Sequence, residues 1–213
     1  SIGTTAGGDD VIAWTESDSN SILFDLSMLN ESETYISNAR VTDIVGFTSS
    51  ASSDSFRMDL TPPLQGTLSI GDLYQSDTAN VTFTWAGFVD EHSGIGDYHY
   101  SLGTQPGFDD VLPRTPLGLN ADFAYLAITI SGLSLQVNQT YYGTVYAIDK
   151  VANETFAVSD GLTIDRDGPE SGTIFDGIVA DIDHSYDTTS ASACWGDFYD
   201  FNGIDYYELA LYM

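Results

Sequence analysis

Four asparagines stand in the N-x-[Ser/Thr] spacing that accepts an N-linked glycan: Asn30, Asn80, Asn138 and Asn153. That pattern belongs on surface loops or strand starts of a secreted chain. A second chemistry lies in the carboxylates. Asp165-Arg166-Asp167-Gly168 puts two hard-oxygen donors into one linker, so Asp165 and Asp167 are candidate calcium ligands. Asp197, Asp200, Asn202 and Asp205 make another acidic loop, without the spacing and terminal glutamate of an EF-hand. Asp9-Asp10 and Asp109-Asp110 are repeated pairs. Neighbours in a strand face opposite sides, so each pair reads as turn and edge residues and not as an acid/base couple. His92, His99 and His184 are scattered, with no metal spacing and no Ser/His/Asp set to join. Cys194 stands alone, which excludes an intrachain disulfide; beside Trp195 it reads as a small strand residue. Nothing in these types and spacings argues for catalysis.

The residues around these candidates repeat. SIGTTAGGDDV at residues 1–11 matches SLGTQPGFDDV at residues 101–111 without a gap. ACWGDFYDFNGIDYY at residues 193–207 matches FTWAGFVDEHSGIGDY at residues 83–98 with one loop residue fewer. The chain therefore enters one repeat midway, runs through a whole one, and leaves a third midway.

Composition narrows the class. The chain is 213 residues long with 42% hydrophobic content, enough for one or two domains with real cores. Thirteen Tyr, eleven Phe and abundant Thr and Ser favour strands. A net charge of -27, with five basic residues, repels nucleic acid and anionic membranes and suits divalent cations, cationic partners or a solvated surface. No apolar run is long enough for a membrane span. No signal peptide is visible, and Ser1 is not a natural start, so a processed chain or a segment of a longer one is expected.

Alternation places the strands. In residues 1–59, strands are expected at 11–14, at Ile22, Phe24 and Leu26, at Tyr35, Ser37, Ala39 and Val41, and at 55–59. Pro62-Pro63 then marks a junction. In residues 60–165, seven strands are expected. They lie at 66–70, at Val81, Phe83 and Trp85, at Tyr98, Tyr100 and Leu102, from Val111, at 123–130, at Tyr141 to Ala147 on alternate residues, and at 156–164. Seven short strands with turns such as Ser93-Gly94 and Pro106-Gly107 predict an antiparallel sandwich. Residues 166–213 begin again, with strands at 173–175, 191–195 and 206–213. The fold class is thus all-β, a tandem of antiparallel sandwiches: half a repeat at 1–59, a complete one at 60–165, half at 166–213.

The chain resembles the fibronectin type III family, and within it the tandem repeats of large secreted and surface proteins. The likeness rests on Trp85 late in the second strand, Tyr98 opening the third, Leu135…Thr140-Tyr141…Val145-Tyr146-Ala147, the glycine-turn motif at 102–107, and Ser159-Asp160-Gly161-Leu162-Thr163-Ile164-Asp165. The resemblance implies that Tyr141 is a tyrosine corner bonded back to the preceding loop. The pattern departs at Gly168, which stands for Pro62, and at Ser55, which stands for the glycine. Trp85 and Trp195 are expected as equivalent core residues, with Tyr141 and Tyr35.

Neither half-repeat can bury its apolar face alone. Residues 166–213 supply the first three strands of a sandwich and residues 1–59 the later ones. The expectation is an extracellular structural protein, a protomer of a head-to-tail filament or a repeat unit of an adhesive stalk, bearing N-linked glycans, with calcium possible in chemistry at the inter-repeat junction. The alternatives are a carbohydrate- or protein-binding module, with Tyr199 and Phe201 stacking on sugar, and an enzyme's accessory domain.

Overall fold

The computed structural model describes residues 1–31, 33–118, 125–178, 184, 187 and 189–210. The strands form four sheets. In residues 1–59, β1 (Ile2–Gly3), β2 (Tyr35–Thr42) and β3 (Thr48–Phe56) make one antiparallel sheet. The middle of the chain makes a two-sheet sandwich. One sheet has the order β4-β6-β9, from Thr67–Ser69, Asn80–Ala86 and Tyr125–Ser131. The other runs β5-β12-β10-β7-β8, with β11 also on β10; these are Tyr74–Gln75, Leu162–Ile164, Thr140–Asp149, Ile95–Gly103, Leu112–Pro116 and Glu154–Val158. This is the fibronectin type III arrangement that the resemblance implies. Last come β13 (Thr173–Asp176) and β14 (Ala193–Gly196), paired with each other and, among the described residues, with no further strand.

Alternation explains the sandwich core. Val81, Phe83 and Trp85 of β6 point inward, as do Tyr141, Val145 and Ala147 of β10, and all are buried. The small residue Gly143 lies between them on β10; a Cβ there would meet the Phe83 ring, so the two sheets close on a glycine. Tyr141 Oη accepts a hydrogen bond from the Gln136 backbone N–H at 2.7 Å, the corner geometry. Tyr35 does the same, accepting from Asn30 N–H at 2.8 Å.

Several expected strands take another form. Residues 11–14 give only a bridge from Ile12 to Ile2, and Ile22, Phe24 and Leu26 lie outside any strand. In the complete repeat the matching segment, β9, is held by β6. Residues 1–59 have no equivalent of β6, so the ladder has nothing to bond to. Residues 206–210 likewise carry no strand, and 211–213 fall outside the described residues, as do Phe123 and Ala124 of the expected fifth strand. The expected strand at 156–164 is broken into β11 and β12 around Ser159-Asp160-Gly161. There Ser159 Oγ accepts the Gly143 N–H, taking one bond from the ladder. Pairing begins earlier than expected at β3, and β5 was not expected at all; it lies parallel to β12.

One correction concerns Trp195. Trp85 is 2% exposed, but Trp195 is 42% exposed and is not a core residue of this chain. Its strand has the right register: β13 meets β14 as β4 meets β6, with Ile174 opposite Trp195 and Leu68 opposite Trp85. The covering sheet is what differs. Trp85→Ala should therefore destabilise by about 3–5 kcal/mol, the range for a large buried aromatic. Trp195→Ala should cost under about 1 kcal/mol in dilute monomer, because a half-exposed ring has less to lose. Urea melting of the two variants checks both.

Candidate functional site

Two features stand out once the repeats are laid on one another: an uncovered aromatic face and a carboxylate junction. The aromatic face is built twice. In the complete repeat the Trp85 and Tyr98 ring centroids lie 5.6 Å apart, and Phe88 meets Tyr98 edge-on at 5.8 Å. In residues 166–213, Trp195 and Tyr207 are also 5.6 Å apart, and Phe198 meets Tyr207 edge-on at 5.9 Å. The backbone beneath is the same. A Cβ on Gly66 would strike Ala86 O and Phe88; one on Gly172 would strike Gly196 O and Phe198. Gly87 and Asp197 both take positive φ, 79° and 62°. The exposure is opposite: Trp85, Phe88 and Tyr98 are 2%, 4% and 2% exposed, against 42%, 37% and 51% for Trp195, Phe198 and Tyr207. In the complete repeat the cover comes from Leu135, Tyr141, Val145, Ala147, Leu162 and Ile164.

Residues 1–59 hold the counterparts of that cover. The Asp43 and Asp149 turns fix the alignment. Asp149 Oδ1 accepts the N–H of Val151 and Asn153, both at 2.9 Å. Asp43 Oδ1 accepts those of Val45 at 3.0 Å and Phe47 at 2.8 Å. With the tyrosine corners this sets β2 on β10, so that Ala39 and Val41 correspond to Val145 and Ala147. Those two pairs differ sharply: Val145 and Ala147 are fully buried, whereas Ala39 and Val41 are exposed. Only Ile2, Leu29 and Tyr35 form a buried cluster here.

The second feature was not legible as a site. Carboxylate oxygens of Asp59, Asp90 and Asp149 converge within 4.8 Å of one another. They come from the linker after β3, the loop after β6 and the β10–β11 turn. Backbone donors fix them. Asp90 Oδ1 accepts Ser93 N–H at 2.8 Å and Gly94 N–H at 2.7 Å, and Asp59 Oδ2 accepts Ser93 N–H at 3.1 Å. Burial pushes the Asp59 carboxyl up, but hydrogen bonds from Ser93 and Thr61 and the nearby His92 outweigh it and hold it below its ordinary value. Three hard-oxygen donors at this separation are a set a calcium ion fits, and mutual repulsion would be relieved by one. Asp165 and Asp167, the expected ligands, do not join such a group among the described residues. Asp165 Oδ1 instead accepts the Asp167 N–H at 3.1 Å, and Asp167 Oδ2 faces Asn138 Nδ2 at 3.5 Å. By the repeat, Asp165, Asp200 and Asp43 are the counterparts of Asp59, Asp90 and Asp149. The aspartate shared by the two linkers was the visible signal; the convergence of Asp90 and Asp149 on Asp59 was not.

The other candidates take plain structural roles. Asp10 and Asp110 latch the repeated turn: each binds the backbone N–H and hydroxyl of Thr4 or Thr104, at 3.0 and 2.7 Å and at 2.9 and 2.8 Å. His99 accepts from Arg114, which stacks 4.0 Å above the Tyr146 ring and pairs with Glu154 at 2.7 Å. His92 meets Thr61, and His184 is exposed. Cys194 is partly buried. Asp197 accepts from Thr173 and Asp200 from the Asn202 N–H. Asn30 and Asn138 are exposed in corresponding loops before the two tyrosine corners. Asn80 Nδ2 donates to Asp77 at 2.8 Å. Asn153 Nδ2 is bound more fully, to Asp149 at 2.8 Å and to the carbonyls of Asp59 and Thr61 at 3.3 and 3.4 Å.

Hydrogen bonds from Thr4 and Thr104 hold the Asp10 and Asp110 carboxyls below the usual value of 3.8. A depressed folded pKa gives stability that is present above the ordinary value and lost as pH falls through the lowered one. The protection factors of the Thr4 and Thr104 amides, taken relative to the intrinsic exchange rate at each pH, should therefore be full at neutral pH and fall on acidification below about pH 4. Asp110→Ala should remove that pH dependence at Thr104 and leave it at Thr4.

No family model and no curated protein matches this chain. A similar solved structure is the crystal structure of chicken CNTN1 FN1–FN3 domains, at 15% identity and a TM-score of 0.32. The match covers 67% of this chain and 48% of that one, so this chain spans about half the length of that structure. Among the described residues no helix is long and apolar enough to cross a membrane.

Proposed function

We propose that this chain is an extracellular structural protein whose copies associate head to tail into a filament or stalk of fibronectin-type sandwiches. One observation carries the reading. The aromatic trio that is sealed in the complete repeat is repeated at Trp195, Phe198 and Tyr207 with the same ring geometry, and there it is exposed among the described residues. A contiguous exposed aromatic face of this kind marks an interface. Residues 1–59 of a second copy offer the matching cover, and a head-to-tail contact repeats without closing. Strand addition supplies both the main-chain bonds and the register. The sequons support an extracellular setting, with Asn30 and Asn138 the more open acceptors and Asn153 the least, since a glycan there would displace its hydrogen bonds. Calcium belongs to the same reading, at Asp59, Asp90 and Asp149, where it would stiffen the junction between consecutive units.

A binding-module reading is favoured by one local observation: Tyr199 and Phe201 are exposed on the loop after β14. Sugar stacking on that loop requires no self-association, which separates the two readings.

Sedimentation and negative-stain electron microscopy across a concentration series test the proposal. Linear particles that lengthen with concentration are expected; a monomer at all concentrations sinks it. Intact mass spectrometry of native material should show added glycan mass, with peptide mapping placing it at Asn30 and Asn138 before Asn153. Calcium should raise the melting temperature, and Asp90→Asn should abolish the rise.

A further inference from the structure

We infer that the complete repeat binds a structural water between Ser101, Thr144 and the turn at residues 104–110, where it does what the Asn38 side chain does in residues 1–59. The inference concerns a single chain and does not depend on self-association. Ser101 of β7 and Thr144 of β10 face each other across the ladder. By alternation they take the side of the sheet away from the core, because Leu102, Gly143 and Val145 take the other. Both are 0% exposed, and neither hydroxyl has a hydrogen-bond partner among the described residues. A buried hydroxyl left unpaired is costly, and two side by side point to a shared partner.

Residues 1–59 show what such a partner must do. β1 and β2 meet in the register of β7 and β10. Gly3 pairs with Ile36 as Gly103 pairs with Tyr142, and Ile2 pairs with Ser37 as Leu102 pairs with Gly143. Asn38 is therefore the counterpart of Thr144. The turn that folds over this face is also the same. Its aspartate latch holds in both copies. Gly8 N–H donates to Thr5 O at 2.9 Å, as Phe108 N–H does to Gln105 O at 3.0 Å, and Gly7 and Gly107 take φ of 76° and 80°. A Cβ on Gly3 would strike the Gly8 carbonyl, and one on Gly103 the Phe108 carbonyl, so the two carbonyls sit alike over the sheet.

The Asn38 carboxamide joins sheet and turn. Its Nδ2 donates to Gly8 O at 2.8 Å, and its Oδ1 accepts the Gly7 N–H at 2.7 Å and the Ser52 hydroxyl at 2.6 Å. Thr144 makes no such bond. Val158 stands across from it where Ser52 stands across from Asn38, and valine has no proton to donate. The carboxamide supplies a donor to the turn carbonyl and an acceptor to the turn N–H. A water supplies both, to Phe108 O and Gly107 N–H, and the Ser101 and Thr144 hydroxyls bring its partners to the number a buried water usually has. Asparagine exceeds threonine by about one non-hydrogen atom, which is the room a water takes.

The test uses the full chain. Thr144→Val keeps the shape and removes the hydroxyl. With the water in place it should lower the melting temperature by about 2–4 °C, because the water loses a partner. Removing a hydroxyl that bonds to nothing would be neutral or stabilising, so an unchanged or raised melting temperature overturns the inference. Oxygen-17 relaxation dispersion reads the water itself. The number of long-lived waters per chain should fall by about one in Thr144→Asn, where the amide takes the water's place as in Asn38. It should fall equally in Ser101→Ala/Thr144→Val, where both hydroxyls are gone. A count equal to the parent's in either variant overturns the inference, and the double variant carries the test if Thr144→Asn does not fold.

Discussion

A strand in the middle of a sheet must bond on both sides, and β10 meets this condition where β2 does not. β10 takes β7 along one edge and β11 and β12 along the other. Its inner residues Tyr141, Val145 and Ala147 then close on β6. β2 carries the same tyrosine corner and the same aspartate turn, yet one edge is filled only at its start. Among the described residues, 22–26 and 206–210 carry no strand, and Tyr206 and Tyr207 are exposed. A buried backbone polar group without a partner is costly, so an edge of this kind either stays wet or is completed.

Much of this was legible because the repeat writes its geometry in residues that cannot easily change. Gly3 and Gly103 are pressed against the loops that follow them, with no room for a Cβ. Asp10 and Asp110 latch the turns to Thr4 and Thr104. Trp85 and Trp195 sit at one register position on strands of one pattern. What the sequence could not show depends on distant residues meeting. Asp59, Asp90 and Asp149 converge only because three separate loops gather at one end of the sandwich. Asn153 looked like an open glycan acceptor, yet its amide ties the linker to the β10–β11 turn. Trp195 has the right sequence for a core residue and lacks only its cover. Periodicity reports which face a side chain takes, and says nothing about whether anything lies over that face.

Charge sets a second condition on any assembly. Copies carrying -27 each repel at long range, over roughly the 8–10 Å Debye length of ordinary salt. Short-range contact must overcome this, and it must do so in one register if units are to repeat. The few basic residues are then informative by position. Arg114 is committed within the complete repeat, to Glu154 and the Tyr146 ring. Arg40, at the corresponding sheet, lies 4.6 Å over the half-buried Trp14 ring.

The bare aromatic face is also ordered in advance. Association loses affinity to the freezing of side chains, typically about 0.5–1.5 kcal/mol for each flexible one. Trp195, Phe198 and Tyr207 already hold the packing that Trp85, Phe88 and Tyr98 have when buried. Gly172 lets the chain pass close to Phe198, where a Cβ would strike its backbone and ring. The exposed trio therefore has the ring geometry of its buried counterpart. A surface kept in its buried geometry while exposed gives up solvent-facing area with little further ordering, and the gain from burial is retained in binding.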